Sequence, residues 1–203
     1  MISINDKVKK EDTEEKGSII EDLLGPKPPE IRTMALFGDV DEEKSMDLII
    51  GLLALTDFSP KDPPYEPIKF YISTYGGSAD EMFSVYDMMS LIKKGCVIET
   101  IGLGKVMSAG TLLLAAGTKG KRKIGRHCRV MIHAVAAGSH GELHDMENEM
   151  KSIKHIQELY INALARETQM TKRTIQKLLD RRVNVYLTAE EAVEFGIADE
   201  VIN

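Results

Sequence analysis

Several common signatures are scarce in this sequence, and each scarcity excludes a class. It has only two cysteines, Cys96 and Cys128. They are too few for a disulfide framework and form no CxxC metal motif, so a reducing compartment is expected. Long apolar runs are missing too. The stretches 48–55 and 112–116 fall far short of the roughly 20 residues of a membrane-spanning helix, and no membrane association is expected. Positive charge is not in excess: 26 Lys and Arg stand against 32 Asp and Glu, for a net charge of −6. That balance argues against nucleic acid as the main partner. The opening Met1-Ile2-Ser3-Ile4-Asn5-Asp6-Lys7 lacks the basic-then-apolar order of a secretory signal, so the expected location is the cytoplasm. What is present is 203 residues, 43% hydrophobic and 29% charged, an ordinary globular mix with enough chain for a sizeable core.

Residues 1–16 carry nine charges of mixed sign, and the whole segment 1–29 is expected to be flexible. It ends in Pro26, Pro28 and Pro29, which cannot continue a helix, and the folded domain is expected over 30–203. From there strands and helices alternate. Strands are expected at 33–37, 68–72, 97–103, 128–133 and 183–187. Helices are expected from Asp41 with an apolar face of Met46, Ile49, Ile50 and Leu53, then through Met82, Val85, Tyr86, Met89 and Ile92. Others follow at 109–116, 143–167 and 172–179. The last opens on Thr188 with Glu191 three residues on, a capping box. A loop is expected at 59–64. Alternation of this kind implies an α/β domain with a largely parallel sheet.

Three motifs fail on inspection. Gly102-Leu103-Gly104 lacks the third glycine of a dinucleotide fingerprint, since Met107 stands there. Lys119-Gly120-Lys121-Arg122-Lys123 has Arg122 where a phosphate loop needs Ser or Thr, and reads as a solvated turn. His140 and His144 have zinc-helix spacing without the glutamate of HExxH, so no metal is expected.

Three segments hold unusual chemistry for their positions. Gly76-Gly77 follows a buried strand, where a backbone can approach a ligand closely. Ser108 sits at a strand-to-helix turn beside free helix amides, and His133 ends a strand. In parallel sheets ligands gather at carboxyl ends of strands, so the two side chains can meet there. Taken singly, each has a plainer explanation: a turn, a helix cap, a hydrogen-bonded structural histidine.

Residues 31–203 resemble the ClpP family, the proteolytic subunit of the Clp protease and a serine peptidase. The resemblance rests on Tyr71-Ile72-Ser73 leading into Gly76-Gly77, Ser84-Val85-Tyr86-Asp87-Met88-Met89, Ile92-Lys93 and Met107-Ser108-Ala109-Gly110. It continues through Ala116-Gly117-Thr118-Lys119-Gly120-Lys121-Arg122 and Arg129-Val130-Met131-Ile132-His133. It ends in Leu187-Thr188-Ala189-Glu190-Glu191-Ala192-Val193-Glu194-Phe195-Gly196-Ile197-Ala198-Asp199. It implies a single ClpP/crotonase-like α/β domain with a protruding handle helix within 134–170. It implies Ser108 as nucleophile, His133 as base, the amides of Gly76 and Ala109 as oxyanion hole, and Gly77 and Ser78 as the strand that binds substrate. Acyl transfer by serine then requires no metal or organic cofactor. The implied partners are polypeptide substrates, further copies in two heptameric rings, and an AAA+ Clp ATPase that consumes the ATP. Segment 1–29 is then a leader or an axial-pore region.

The chain departs from that pattern at the third triad position, where the family's aspartate is Asn184. An amide cannot stabilise an imidazolium by charge, and in a serine-protease template that change lowers turnover by about 10⁴. Asp180 is the nearest acidic alternative. After the histidine, Ala134-Val135-Ala136-Ala137-Gly138 lacks the family's usual Gln-Pro. Three functions follow: a ring-forming endopeptidase of reduced activity, a silent ring subunit acting as scaffold or regulator, and a crotonase-type enzyme of acyl-coenzyme A.

Overall fold

The structure is a computed structural model describing residues 31–56, 65–138, 140–181 and 183–203. The expectations for 1–29 and for the loop 59–64 lie outside these residues. Five strands run side by side and parallel: β1 (Thr33–Phe37), β2 (Ile68–Thr74), β3 (Ile98–Met107), β4 (Arg122–Gly125) and β7 (Glu200–Ile202). Two more, β5 (Arg129–Ile132) parallel to β3 and β6 (Val185–Leu187) antiparallel to β5, extend the sheet off this row. The expected α/β class with a parallel-rich sheet is what the chain forms.

The fork in β3 matters most. Its first half, Thr100–Gly102, pairs with β4, while its second half, Lys105–Met107, pairs with β5. Gly104, at φ 65°, lies between the two halves, and β2 shifts register at the same level. Sequence periodicity expects β3 to end at 103; the structure continues it to Met107. It also makes a strand of 122–125, overlapping the stretch 119–123 that is expected to be a solvated turn. Arg122 is the reason that strand is hard to foresee, because a buried arginine breaks the apolar run. The guanidinium donates to both carboxylate oxygens of Asp199 and to the carbonyls of Ala115 and Glu167.

The helices are α1 (Glu42–Leu55), α2 (Ala79–Ile92), α3 (Ala109–Ala115), α4 (Leu143–Glu167), α5 (Lys172–Leu179) and α6 (Ala189–Glu194). All five expected core positions of α2 are buried. On α1 the expectation was rotated: Ser45, Leu48 and Leu52 face the core, and Met46, Ile50 and Leu53 are exposed. Apolar residues nearly encircle that helix, so spacing alone could not choose the buried side. The capping box of α6 forms, with Thr188 Oγ1 accepting from the Glu191 amide and Glu191 Oε2 accepting from the Thr188 amide.

Helix α4 has 25 residues, about 37 Å at the usual rise. No residue from Leu143 to Leu159 is buried, although Ile153, Ile156 and Gln157 are half-buried; full burial begins at Tyr160. Its first ten residues, 143–152, are all exposed and project from the domain, Leu143, Met146 and Met150 among them. Among the described residues, no helix is long and apolar enough to cross a membrane.

Candidate active site

Ser108 ends β3 and begins α3, and its backbone takes φ 54°, ψ −118°. It is the one non-glycine with positive φ among the described residues. Such a conformation costs on the order of 1–3 kcal/mol and persists only when its surroundings enforce it. They do so here through three hydrogen bonds. The Ser108 amide donates to Met131 O (2.8 Å), and Ser108 O accepts from the Thr111 amide (3.0 Å) and from the Tyr160 hydroxyl (3.1 Å). Tyr160 is buried, and nothing in the sequence marks it beyond its place on the apolar side of α4. It ties the base of the projecting helix to the backbone of Ser108.

The side chain of Ser108 makes no capping hydrogen bond to α3, which removes the simplest explanation for a serine at a helix start. Its Oγ lies 2.7 Å from His133 Nε2. The pairing of β3 with β5, Met107 opposite Met131, brings the two ends together. His133 is half-buried, and burial lowers its pKa below the ordinary 6.5, with no neighbouring charge to offset the effect. At neutral pH the imidazole is uncharged and can accept a proton.

The glycine pair divides its work differently from the sequence expectation. The Gly76 amide, expected to face an oxyanion, instead donates to Thr74 Oγ1 (2.9 Å). Gly76 serves close packing: an added Cβ would lie 2.6 Å from the Cβ of Ser108. Gly77 bridges Val40 in parallel register, through Val40 N to Gly76 O and Ser78 N to Val40 O. Main-chain groups alternate sides along a strand, so the N–H and C=O of Gly77 itself point away from Val40. Gly77 lines the pocket that holds Ser108, Ala109 and His133. Ser78, expected to bind substrate, has its amide on Val40 O, its carbonyl on the Met82 amide and its hydroxyl on the Glu81 amide. It borders the pocket but has no free main-chain group to pair with an extended chain.

That pocket has a volume of about 330 Å³ and is walled by Met82, Val135, Ala136 and Ile156. A Gly77→Ala variant would set its Cβ 2.2 Å from Val40 O at φ 154°, forcing the strand aside. Under the reading proposed below, in which the Gly77 amide supplies an oxyanion donor, we expect a loss of about 10²–10³ in kcat, with a retained cooperative unfolding transition as the check that the chain still folds.

Asn184 lies on the other side of His133. The antiparallel register, Ile132 opposite Val185, carries Asn184 to a position facing His133, and both line a second, open groove. Among the described residues no hydrogen bond joins the two side chains; the ring's one partner is Ser108. Asp180 closes the C-terminal end of α5, is exposed, and borders neither groove. The structure thus brings together Ser108, His133, Ala109 and Gly77, sets Asn184 alongside, and leaves Asp180 apart.

A hydroxyl freed from capping, a neutral imidazole at hydrogen-bond distance and an adjoining apolar pocket, all at the carboxyl ends of parallel strands, are the parts that nucleophile–base chemistry requires, set on an α/β domain. The chain belongs to the Clp protease family, whose model matches residues 26–203. It is 35% identical over 175 residues to the ATP-dependent Clp protease proteolytic subunit 2 of Corynebacterium jeikeium, covering 86% of this chain and 80% of that protein. The same figures hold for proteolytic subunit 1 of Corynebacterium diphtheriae. Proteolytic subunit 3 of Nocardia farcinica is 35% identical over 176 residues, 86% of this chain and 76% of that protein. Family membership sets aside the acyl-coenzyme A alternative.

Proposed function

We propose that this chain is a serine endopeptidase subunit that cleaves unfolded polypeptides. The observation that carries this is the 2.7 Å contact of His133 Nε2 with a Ser108 hydroxyl that caps nothing. Ser108 Oγ attacks the scissile carbonyl as His133 takes its proton, and His133 then protonates the leaving amine. The oxyanion is held by the amides of Ala109 and Gly77 rather than Gly76, because the Gly76 amide is already bonded. An extended substrate adds to the free edge of Gly77, which reads main chain and tolerates many sequences. The apolar walls of the pocket favour an aliphatic side chain at the residue donating the carbonyl.

The assembly belongs to the same proposal: two seven-membered rings around a chamber, fed by an AAA+ Clp ATPase in the cytoplasm. Exposed Leu143, Met146 and Met150 on α4, and Met46, Ile50 and Leu53 on α1, support association with further copies. The matched relatives are named as proteolytic subunits of an ATP-dependent protease. A second reading is favoured by one observation. Asn184 supplies His133 with neither charge nor hydrogen bond, which suits a weak or silent subunit acting as scaffold or regulator.

Purified protein treated with a fluorophosphonate should gain one adduct, on Ser108, and cleave a fluorogenic peptide. Ser108→Ala should do neither; retained cleavage in that variant would sink the proposal. Because the base must be neutral, kcat/KM should fall as the pH drops through a value below 6.5, the direction in which burial moves His133.

A further inference from the structure

We propose that the groove beside His133 and Asn184 is a carboxylate-binding site, and that a carboxylate held there supplies the negative charge Asn184 does not. The proposal rests on the peptidase reading above and deepens it.

The groove has a volume of about 750 Å³ and lies across one face of the sheet where β3, β5 and β6 meet. Alternate residues of a strand share a face, so Lys105 and Met107, Arg129 and Met131, and Tyr186 and Asn184 all point the same way. Cross-strand pairs Lys105–Arg129 and Met131–Tyr186 bring them side by side. Met107 and Met131 are 9% and 8% exposed and form an apolar floor, over which a charge interaction is less screened than in open water.

Both cations rest on aromatic rings that line the groove with the histidine. Lys105 Nζ lies 4.5 Å from the ring centre of Tyr75, which borders this groove and the Ser108 pocket alike. Arg129 Cζ lies 4.6 Å from the ring centre of Tyr186, whose strand partner Met131 is two residues nearer His133 than Arg129 is. Among the described residues neither cation has a carboxylate partner, and no Asp or Glu lines the groove. Two cations fixed by aromatic faces, with donors unspent and no acid among them, form a receptor for an anion.

His133 completes it. Its Nε2 is on Ser108, so Nδ1 is the far side of the ring, and nothing among the described residues hydrogen-bonds it. The titratable and charged groups around the ring are Lys105 from β3, Arg129 from β5, Tyr186 from β6, Tyr75 from the turn after β2 and Tyr160 from α4. None of these is a carboxylate. A carboxylate in the groove accepts the Nδ1–H, fixes the tautomer that leaves Nε2 free to take the serine proton, and stabilises the imidazolium without itself being protonated. The acylation chemistry and its proton balance are unchanged; the carboxylate is returned at the end of each turnover.

The source is either a free small carboxylate or an acidic side chain of the bound polypeptide, and one experiment separates them. Full-length protein is assayed on a peptide without acidic residues, in graded sodium formate against sodium chloride at constant ionic strength. Fluorophosphonate labelling of Ser108 is followed in parallel. Formate should raise both rates about tenfold or more, out of the roughly 10⁴ that the carboxylate is worth in a serine-protease template. The acidic limb of the pH profile should move to higher pH, because the anion favours the imidazolium. Arg129→Gln should need more formate for the same gain, and Asn184→Asp should show no gain. A matched peptide bearing Asp close to the scissile bond, cleaved faster than its Asn counterpart in chloride alone, identifies the substrate as the source. Equal rates for the two identify the free anion.

Equal rates in formate and chloride, or an equal formate gain in Asn184→Asp, overturn the carboxylate site. If Asn184→Asp is active while wild type stays silent in formate, the peptidase reading stands and this site falls. If neither protein reacts under any condition, both fall.

Discussion

Replacing Asn184 by Asp is expected to raise peptide turnover by up to about 10⁴-fold, the factor that separates Asp from Asn at the equivalent place in a serine-protease template. The physical basis is the position of residue 184, opposite His133 across the β5–β6 pair, on the side of the ring away from Ser108. There a carboxylate accepts the Nδ1–H and faces the positive charge that appears when Ser108 gives up its proton. Asn184 has the same shape without the charge. The measurement is kcat/KM on a fluorogenic peptide, with Ser108→Ala added to the Asp variant as the control that must erase the gain. The pH profile should respond as well. A neighbouring carboxylate raises the histidine pKa, so the acidic limb of Asn184→Asp should lie above that of the wild type. An unchanged rate would mean that the side chain at 184 does not reach the ring, and that the native pair works as a dyad. A large gain from a nearly silent wild type would favour the scaffold or regulator reading of the native chain.

Arg122→Ala should cost about 3–5 kcal/mol of stability, because it removes the buried guanidinium of a partly buried ion pair and leaves Asp199 and two carbonyls uncompensated. The Arg122 side chain is 4% exposed and joins three parts of the chain: Asp199 before β7, the carbonyl of Ala115 at the end of α3, and the carbonyl of Glu167 at the base of α4. By the usual scaling for a domain of this size, the midpoint of thermal unfolding falls by roughly 6–20 °C. A shift within about 2 °C would count against the buried network as a principal tie between the domain and its projecting helix. The same pair sets an acid limit. Burial pushes the Asp199 carboxyl up, but hydrogen bonds and charge from Arg122 outweigh it and hold the pKa below the ordinary 3.8. A carboxylate lowered in the folded state stabilises the fold above its unfolded value and loses that contribution as the pH falls through the folded value. Asp199→Asn should therefore flatten the stability curve in that acidic window while lowering it at neutral pH.

Amphipathic spacing was legible where one face of an element is unambiguous. Helix α2 buries the residues its periodicity selects, and the α6 capping box forms as its sequence requires. On α1 the apolar residues spread around the helix, so only packing against the sheet decided that Leu48 and Leu52 go in while Met46, Ile50 and Leu53 stay out. Strand β4 is not legible in the sequence because its buried arginine draws partners from Asp199 and Glu167, both distant in the chain, as well as from Ala115.

The residues of the site divide the same way. By itself the sequence determined the α/β class, the glycine pair after β2, a serine and a histidine at strand ends, and an amide at position 184. Those follow from residue identity and short-range spacing, which act through local backbone preferences and alternate burial. Tertiary structure alone decided that Ser108 turns from its helix to His133, and that the Gly76 amide is spent on Thr74 while Gly77 faces the pocket. It also decided that Lys105 and Arg129 line one groove with Asn184. Each of those depends on which strands pair and in what register, a property of contacts between distant segments that no local pattern encodes.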